Sequence, residues 1–83
     1  MPSINFVPRI VEEAVVDAIA KFGPSPRDIK PDASFEALGV DSLDLVEIAQ
    51  MAEEKWGANV EPQDMGNVKT VGEAIDLIVA RIP

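Results

Sequence analysis

Eighty-three residues make one small domain over 1–83, with room for a single core and none for a second lobe enclosing a substrate cleft. Fifteen Asp and Glu against seven Lys and Arg give a net charge of −8 and a pI near 4.2, which disfavours nucleic acid and anionic membrane as partners and favours basic protein surfaces. With no cysteine, histidine or tyrosine there is no thiolate or imidazole metal site, no Cys nucleophile and no Ser-His-Asp triad, so self-contained catalysis is not expected.

The opening "MPSINFVPRI" lacks the basic-then-apolar layout of a secretory leader, and no apolar run reaches the roughly 20 residues a bilayer demands. A cytoplasmic protein is therefore expected. From about Arg9 to Phe22, Ile10, Val11, Ala14, Val15, Ala18, Ile19 and Phe22 recur at the spacing of one helix face. Pro8 suits the first turn of that helix, and Gly23-Pro24 ends it.

Residues 23–40 hold three prolines and two glycines without a sustained period, which predicts a long connection anchored by Ile29, Phe35 and Leu38. Within it, Ser34 followed by Phe35-Glu36-Ala37 has the makings of one short helical turn. The second main helix is expected to start at Asp41 or Ser42 and to end near Trp56, with Gly57 as its C′ residue. At about 100° per residue, Leu45, Ile48, Ala49, Ala52 and Trp56 gather into one buried stripe. Leu43, Glu47, Gln50 and Glu54 fall opposite, with Val46 and Glu53 at one margin and Asp44 and Lys55 at the other.

Beyond Gly57, "PQDM" suits another short turn, and Val60, Met65 and Val68 are expected to point inward. The last helix opens with "TVGE", in which Thr70 and Glu73 have the spacing of a capping box, and it should bury Val71, Ala74, Ile75, Ile78 and Ile82. No alternating strand segment of useful length is present. The fold class is thus all-α: a small four-helix bundle, three main helices plus one short one, with a long loop between the first and second.

The charge is unevenly spread. Residues 41–64 carry seven acids against Lys55 alone, hence six of the eight excess negative charges. Near the start of that segment, between Asp41 and Leu43, stands Ser42, for which two roles compete. Either it caps the helix, as serine commonly does, or Asp41 caps and leaves the Ser42 hydroxyl free at a helix N-terminus, where unpaired N–H groups and the dipole favour phosphate. Leu43 also has two readings: a staple packed on Leu38 or Val40, or an exposed apolar anchor rimmed by acids. A free hydroxyl, an exposed leucine and a line of glutamates together describe docking, not catalysis.

"LGVDSLDLVE", Leu38 to Glu47, resembles the leucine-glycine-x-aspartate-serine-leucine motif of acyl carrier proteins. The resemblance runs from about Ile10 to Ile82 and includes the order of helices, the long loop, the "EEKWG" helix ending and the final "VKTVGEAIDLI". It implies that Ser42 is esterified by 4′-phosphopantetheine, delivered from coenzyme A by a separate Mg²⁺-dependent phosphopantetheinyl transferase, and that acyl intermediates ride on the terminal thiol as thioesters. It further implies a partner-binding face of Asp41, Leu43, Asp44, Glu47, Glu53 and Glu54, offered by a monomer to a ketosynthase, an acyltransferase and other enzymes of a type II fatty-acid or polyketide synthase. An apolar acyl cleft is implied as well, lined by Leu45, Val46, Ile48, Ala52, Val60, Met65, Val68, Ala74 and Ile75.

Three residues depart from the fatty-acid members of that family. Ala37 stands where acids often precede the Leu-Gly pair, Trp56 replaces a commoner phenylalanine or tyrosine, and Gln50 sits where an apolar contact is frequent. They leave room for a specialised pathway. Two other classes also fit the residues: a free-standing peptidyl carrier for aminoacyl groups, which is usually less acidic around the motif, and an unmodified acidic helical adaptor.

Overall fold

The computed structural model describes residues 6–83; the leader reading of the first residues, 1–5, lies outside them. Five α-helices follow one another, α1 (Phe6–Ala20), α2 (Phe35–Leu38), α3 (Ser42–Trp56), α4 (Pro62–Gly66) and α5 (Val71–Arg81), with a 3₁₀ turn at Pro26–Asp28 in the long loop. Three are long and two are single turns, so the expected all-α bundle is present with α2 added to its short elements.

α1 begins three residues before the expected Arg9, and Pro8 still sits within its first turn, where an N–H has no intrahelical partner to lose. It also stops earlier, at Ala20. Beyond that point Lys21, Phe22 and Gly23 donate to Ala18, Ile19 and Ala20, three residues back, so the helix tightens and then stops before Pro24. Val11, Val15 and Ile19 are fully buried, whereas Ile10, expected on the same face, is 38% exposed. It lies at the edge of a stripe that Val11, Val15 and Ile19 already fill at i, i+4 and i+8.

α1 packs most extensively on α5, and α3 packs on α4 and α1. Between them lies one core, in which Ile19, Ile48, Met65 and Ile78 have at most 1% of their surface exposed. Each contributes about 1.5–3 kcal/mol by leaving water. From α5 the core takes Val71, Ala74, Ile75 and Ile78; Ile82 lies just past the helix and is half-buried. Ile29 and Phe35 are buried and Leu38 half-buried, so all three anchors expected in the loop touch the core.

That loop is also pinned by its backbone. Phe35 N–H donates to the Lys69 carbonyl at 2.9 Å, Val71 N–H to Ala33 at 3.0 Å and Gly72 N–H to Pro31 at 2.8 Å. Around them Ser34 and Thr70 form an isolated antiparallel bridge, with no strand on either side among the described residues. Gly72 is required by this contact: a Cβ there would stand 2.9 Å from the Pro31 carbonyl oxygen. The start of α5 therefore holds the segment that leads into α2 and α3.

Candidate functional site: the start of α3

Ser34 accepts a hydrogen bond from the Ala37 N–H at 3.1 Å and so caps the single turn of α2. α2 ends at Gly39, whose φ of +75° is open to glycine at little cost, and the chain turns there toward α3. Val40 is buried, and its N–H donates to the Phe35 carbonyl at 2.9 Å. The approach to residue 41, from Ser34 to Val40, is thus held by packing and by hydrogen bonds.

The competition for the N-cap is resolved in favour of Asp41. Its backbone is extended, and its Oδ1 accepts from the Asp44 N–H at 3.0 Å. In return Asp44 Oδ2 accepts from the Asp41 N–H at 3.3 Å, completing a reciprocal box. Asp44, expected only on the docking face, therefore has a second role at the cap. The Asp-x-x-Asp spacing carried that signal, but Asp is a less common closing residue than Glu or Gln.

Ser42 becomes the first residue of α3. It is exposed, and its hydroxyl makes no hydrogen bond within the described residues. It stands free at the end of a 15-residue helix, where backbone N–H groups and the dipole favour negative charge. Leu43 is 73% exposed, so it is not a staple on Leu38 or Val40.

Glu47, Gln50, Glu53 and Glu54 are exposed along the same helix, and Asp44 is half-buried. None of these carboxylates is ion-paired within the described residues. The arrangement is an apolar side chain beside a free hydroxyl, followed by exposed carboxylates spread along the length of α3.

Most of the residues expected to line an interior cleft come together in the core. Ile48, Ala52, Met65 and Ala74 have at most 1% of their surface exposed; Val60 and Ile75 are also buried. Leu45 and Val68 are half-buried against the same cluster, whereas Val46, also half-buried, is not packed on it. These side chains fill the core.

α3 ends as expected at Gly57, φ +70°, with Gly57 N–H on the Glu53 carbonyl at 2.8 Å and Ala58 N–H on Ala52 at 3.4 Å. Downstream, one clasp ties α4 to α5. Arg81 Nη1 donates to Asp64 Oδ2 and to the Asn59 carbonyl, each at 3.0 Å, and Asp64 Oδ2 also accepts from the Glu61 N–H at 3.1 Å. The Glu61 N–H first, and Arg81 beside it, hold the Asp64 carboxyl below the ordinary aspartate range against the opposing effect of desolvation. At the start of α5 the expected box is shifted by one residue. Thr70 Oγ1 accepts from Glu73 N–H at 3.2 Å, but the Glu73 carboxylate takes the N–H of Lys69 at 2.6 Å instead of that of Thr70.

Comparison with known proteins places this geometry in context. The family description "Phosphopantetheine attachment site" matches residues 13–78. A protein named acyl carrier protein from Nitratidesulfovibrio vulgaris is 41% identical over 70 residues, which cover 82% of this chain and 92% of the relative. Another of the same name, from Acidothermus cellulolyticus, is 46% identical over 52 residues, 61% of this chain and 62% of the relative. A meromycolate extension acyl carrier protein from Mycobacterium leprae is 33% identical over 75 residues, 83% of this chain and 65% of the relative.

Proposed function

The chain belongs to the phosphopantetheine-attachment family that includes acyl carrier proteins, and on that premise we propose that Ser42 is its attachment point and that it carries acyl intermediates for a type II fatty-acid or polyketide synthase. The family implies a covalently attached 4′-phosphopantetheine. The residues present fit such a group: an exposed hydroxyl at a helix N-terminus, with no competing hydrogen bond among the described residues. When bound, the group supplies the thiol that this cysteine-free chain lacks, on which acyl groups are held as thioesters.

The observation that carries the reading is the division of labour at the start of α3. Asp41 does the capping, so Ser42 Oγ keeps both its proton and its lone pairs available to a transferase. Its neighbouring N–H groups and the helix dipole offset the charge of a phosphodiester, while Asp41 and Asp44 turn their carboxylates onto the backbone N–H groups of the cap. Leu43 and Glu47 near Ser42, with Glu53 and Glu54 at the far end of α3, offer an exposed acidic face to basic patches on the transferase, the ketosynthase and the acyltransferase. The chain is the substrate of those enzymes and brings no acid, base or nucleophile set of its own. The relative named for meromycolate extension favours fatty acyl cargo over aminoacyl cargo.

Intact mass after incubation with coenzyme A, Mg²⁺ and a broad-specificity transferase is the test. One phosphopantetheinyl adduct on the wild type and none on Ser42→Ala is expected. No adduct on the wild type, or an adduct that persists in the variant, overturns the assignment. Malonyl and aminoacyl donors offered to the loaded protein then separate a synthase carrier from a peptidyl carrier.

A further inference from the structure

An acyl chain on Ser42 that takes shelter between the helices needs something in the packing to give way. Leu45 is three residues on from Ser42, on the same side of α3, and is half-buried against the core, so the apolar way in from the attachment point begins there. Ile48, Met65 and Ala74 in the same cluster have at most 1% of their surface exposed, and a chain entering among them has to displace packed side chains.

The element least able to resist is α4. α1 and α3 have 15 residues each and α5 has 11, and each buries several of them. α4 has five residues and buries one, Met65, whose unbranched thioether chain adapts to a new neighbour more readily than a branched one. It packs on α3. Its one hydrogen-bonded tie to α5 among the described residues is Arg81, whose Nη1 holds Asp64 Oδ2 within α4 and the Asn59 carbonyl in the link before it, each at 3.0 Å. Asn59 lies between the buried Ala58 and Val60, so the link is anchored in the core on either side of that grip.

On the reading that Ser42 bears the arm and that its acyl group is taken in between the helices, we propose that Arg81 is a positioning residue that sets how long a cargo must be to stay there. α4 is the wall that yields. It swings about the anchored link, and the swing breaks the Arg81–Asp64 bond. The side chains of that pair are 40% and 24% exposed, so the loss is modest, comparable to the burial of about one methylene, or about a fourfold change in the ratio of sheltered to free cargo. The clasp therefore weighs against short cargo, which has few methylenes to offset it, and matters little for long cargo. An arginine with a structural role alone would stabilise every loaded form equally.

The test uses the whole chain bearing the arm, ended by butyryl, hexanoyl or octanoyl through an amide in place of the thioester, with the thiol-ended form as reference. Methyl NMR shifts of Ile48, Met65 and Ile75 read how much of each cargo is sheltered, and thermal denaturation reads the Tm gained over the thiol-ended form. In Arg81→Gln the sheltered-to-free ratio of the short cargoes should rise about fourfold, moving the length profile by about one carbon. The same variant should lower the Tm of the thiol-ended form by about 5 °C and that of the octanoyl form by less than half as much, because the clasp is already open there. Asp64→Asn keeps an acceptor for the Glu61 N–H and loses the charge that Arg81 holds, so it should act in the same direction more weakly; Arg81→Lys should restore part of the wild-type profile. Equal Tm losses in the thiol-ended and octanoyl forms, an unchanged length profile, or no shift of the core methyls with octanoyl overturns the clasp's role and leaves the attachment intact. Failure of loading by intact mass overturns the attachment, and the role of Arg81 falls with it.

Discussion

The Asp41 cap makes a quantitative prediction at the point where stability and function meet. Asp41 is exposed, so Asp41→Ala changes little apolar burial, and the main loss is the Oδ1 acceptor of the Asp44 N–H. Such caps are worth about 1 kcal/mol, within a range of about 0.5–2. For 83 residues the unfolding entropy near the midpoint is about 0.17 kcal/mol/K, so Asp41→Ala should lower Tm by about 6 °C. Asp41→Asn keeps the acceptor and loses only the charge that interacts with the N-terminal dipole, worth about 0.3–1 kcal/mol, so it should fall between wild type and alanine. Thermal denaturation followed by circular dichroism ranks the three proteins, and hydrogen exchange localises the effect: the Asp44 amide should exchange faster in the alanine variant and stay protected in the asparagine variant. Phosphopantetheinyl transfer should slow in the same order, because a frayed first turn no longer presents Ser42 in one place. If asparagine proves as damaging as alanine, the charge and not the hydrogen bond holds the turn. If alanine shifts Tm by less than about 2 °C, the cap does not define the start of α3.

Three further perturbations have outcomes set by particular contacts. Gly72→Ala gains up to about 1 kcal/mol of helix propensity but drives a Cβ to within 2.9 Å of the Pro31 carbonyl oxygen. Overpacking of that kind costs about 1–3 kcal/mol, so urea denaturation should show a net loss, and a net gain would mean that the loop yields freely. Asp64 has its carboxyl held below the ordinary value of about 3.9 in the folded state, by the Glu61 N–H and then Arg81, so its contribution is present above that value and is lost as pH falls through the folded value. Wild type should therefore be more stable than Asp64→Asn near neutrality, and the gap in urea midpoint should close below about pH 4; a gap independent of pH would refute the ionic origin. Glu47→Lys and Glu53→Lys, both exposed and unpaired among the described residues, should leave the urea midpoint within about 0.5 kcal/mol of wild type. Transfer by partner enzymes at low salt should slow by about tenfold and recover little when salt is added to the variants; a large loss of stability would make the acidic face structural.

The parts of the fold legible in the sequence are those governed by neighbours in the chain. Gly57 announced the end of α3, Ser34 the turn of α2 and Thr70 the start of α5, because a cap or a left-handed residue acts within one helical turn. The parts that were not legible depend on residues far apart. Nothing near Glu73 indicates that its carboxylate goes to the Lys69 N–H instead of that of Thr70. Nothing near Gly72 points to Pro31, and nothing near Arg81 points to Asn59 and Asp64. Ser42 lay between the two cases. Its two candidate roles differ in whether α3 starts at Ser42 or one residue later, and residue preferences do not separate aspartate from serine at the cap. The buried Val40 and the positive-φ turn at Gly39 bring the chain into α3 with Asp41 at the cap, and they are held in turn by Phe35, which is anchored on Lys69 across the molecule. A long-range backbone contact thereby decides a local competition, and the free hydroxyl of Ser42 is its result. The same logic says that loosening the Pro31–Gly72 or Phe35–Lys69 contacts should disturb Ser42 before it disturbs the core, because those bonds hold the approach to α3 while Ile19, Ile48, Met65 and Ile78 hold the helices together.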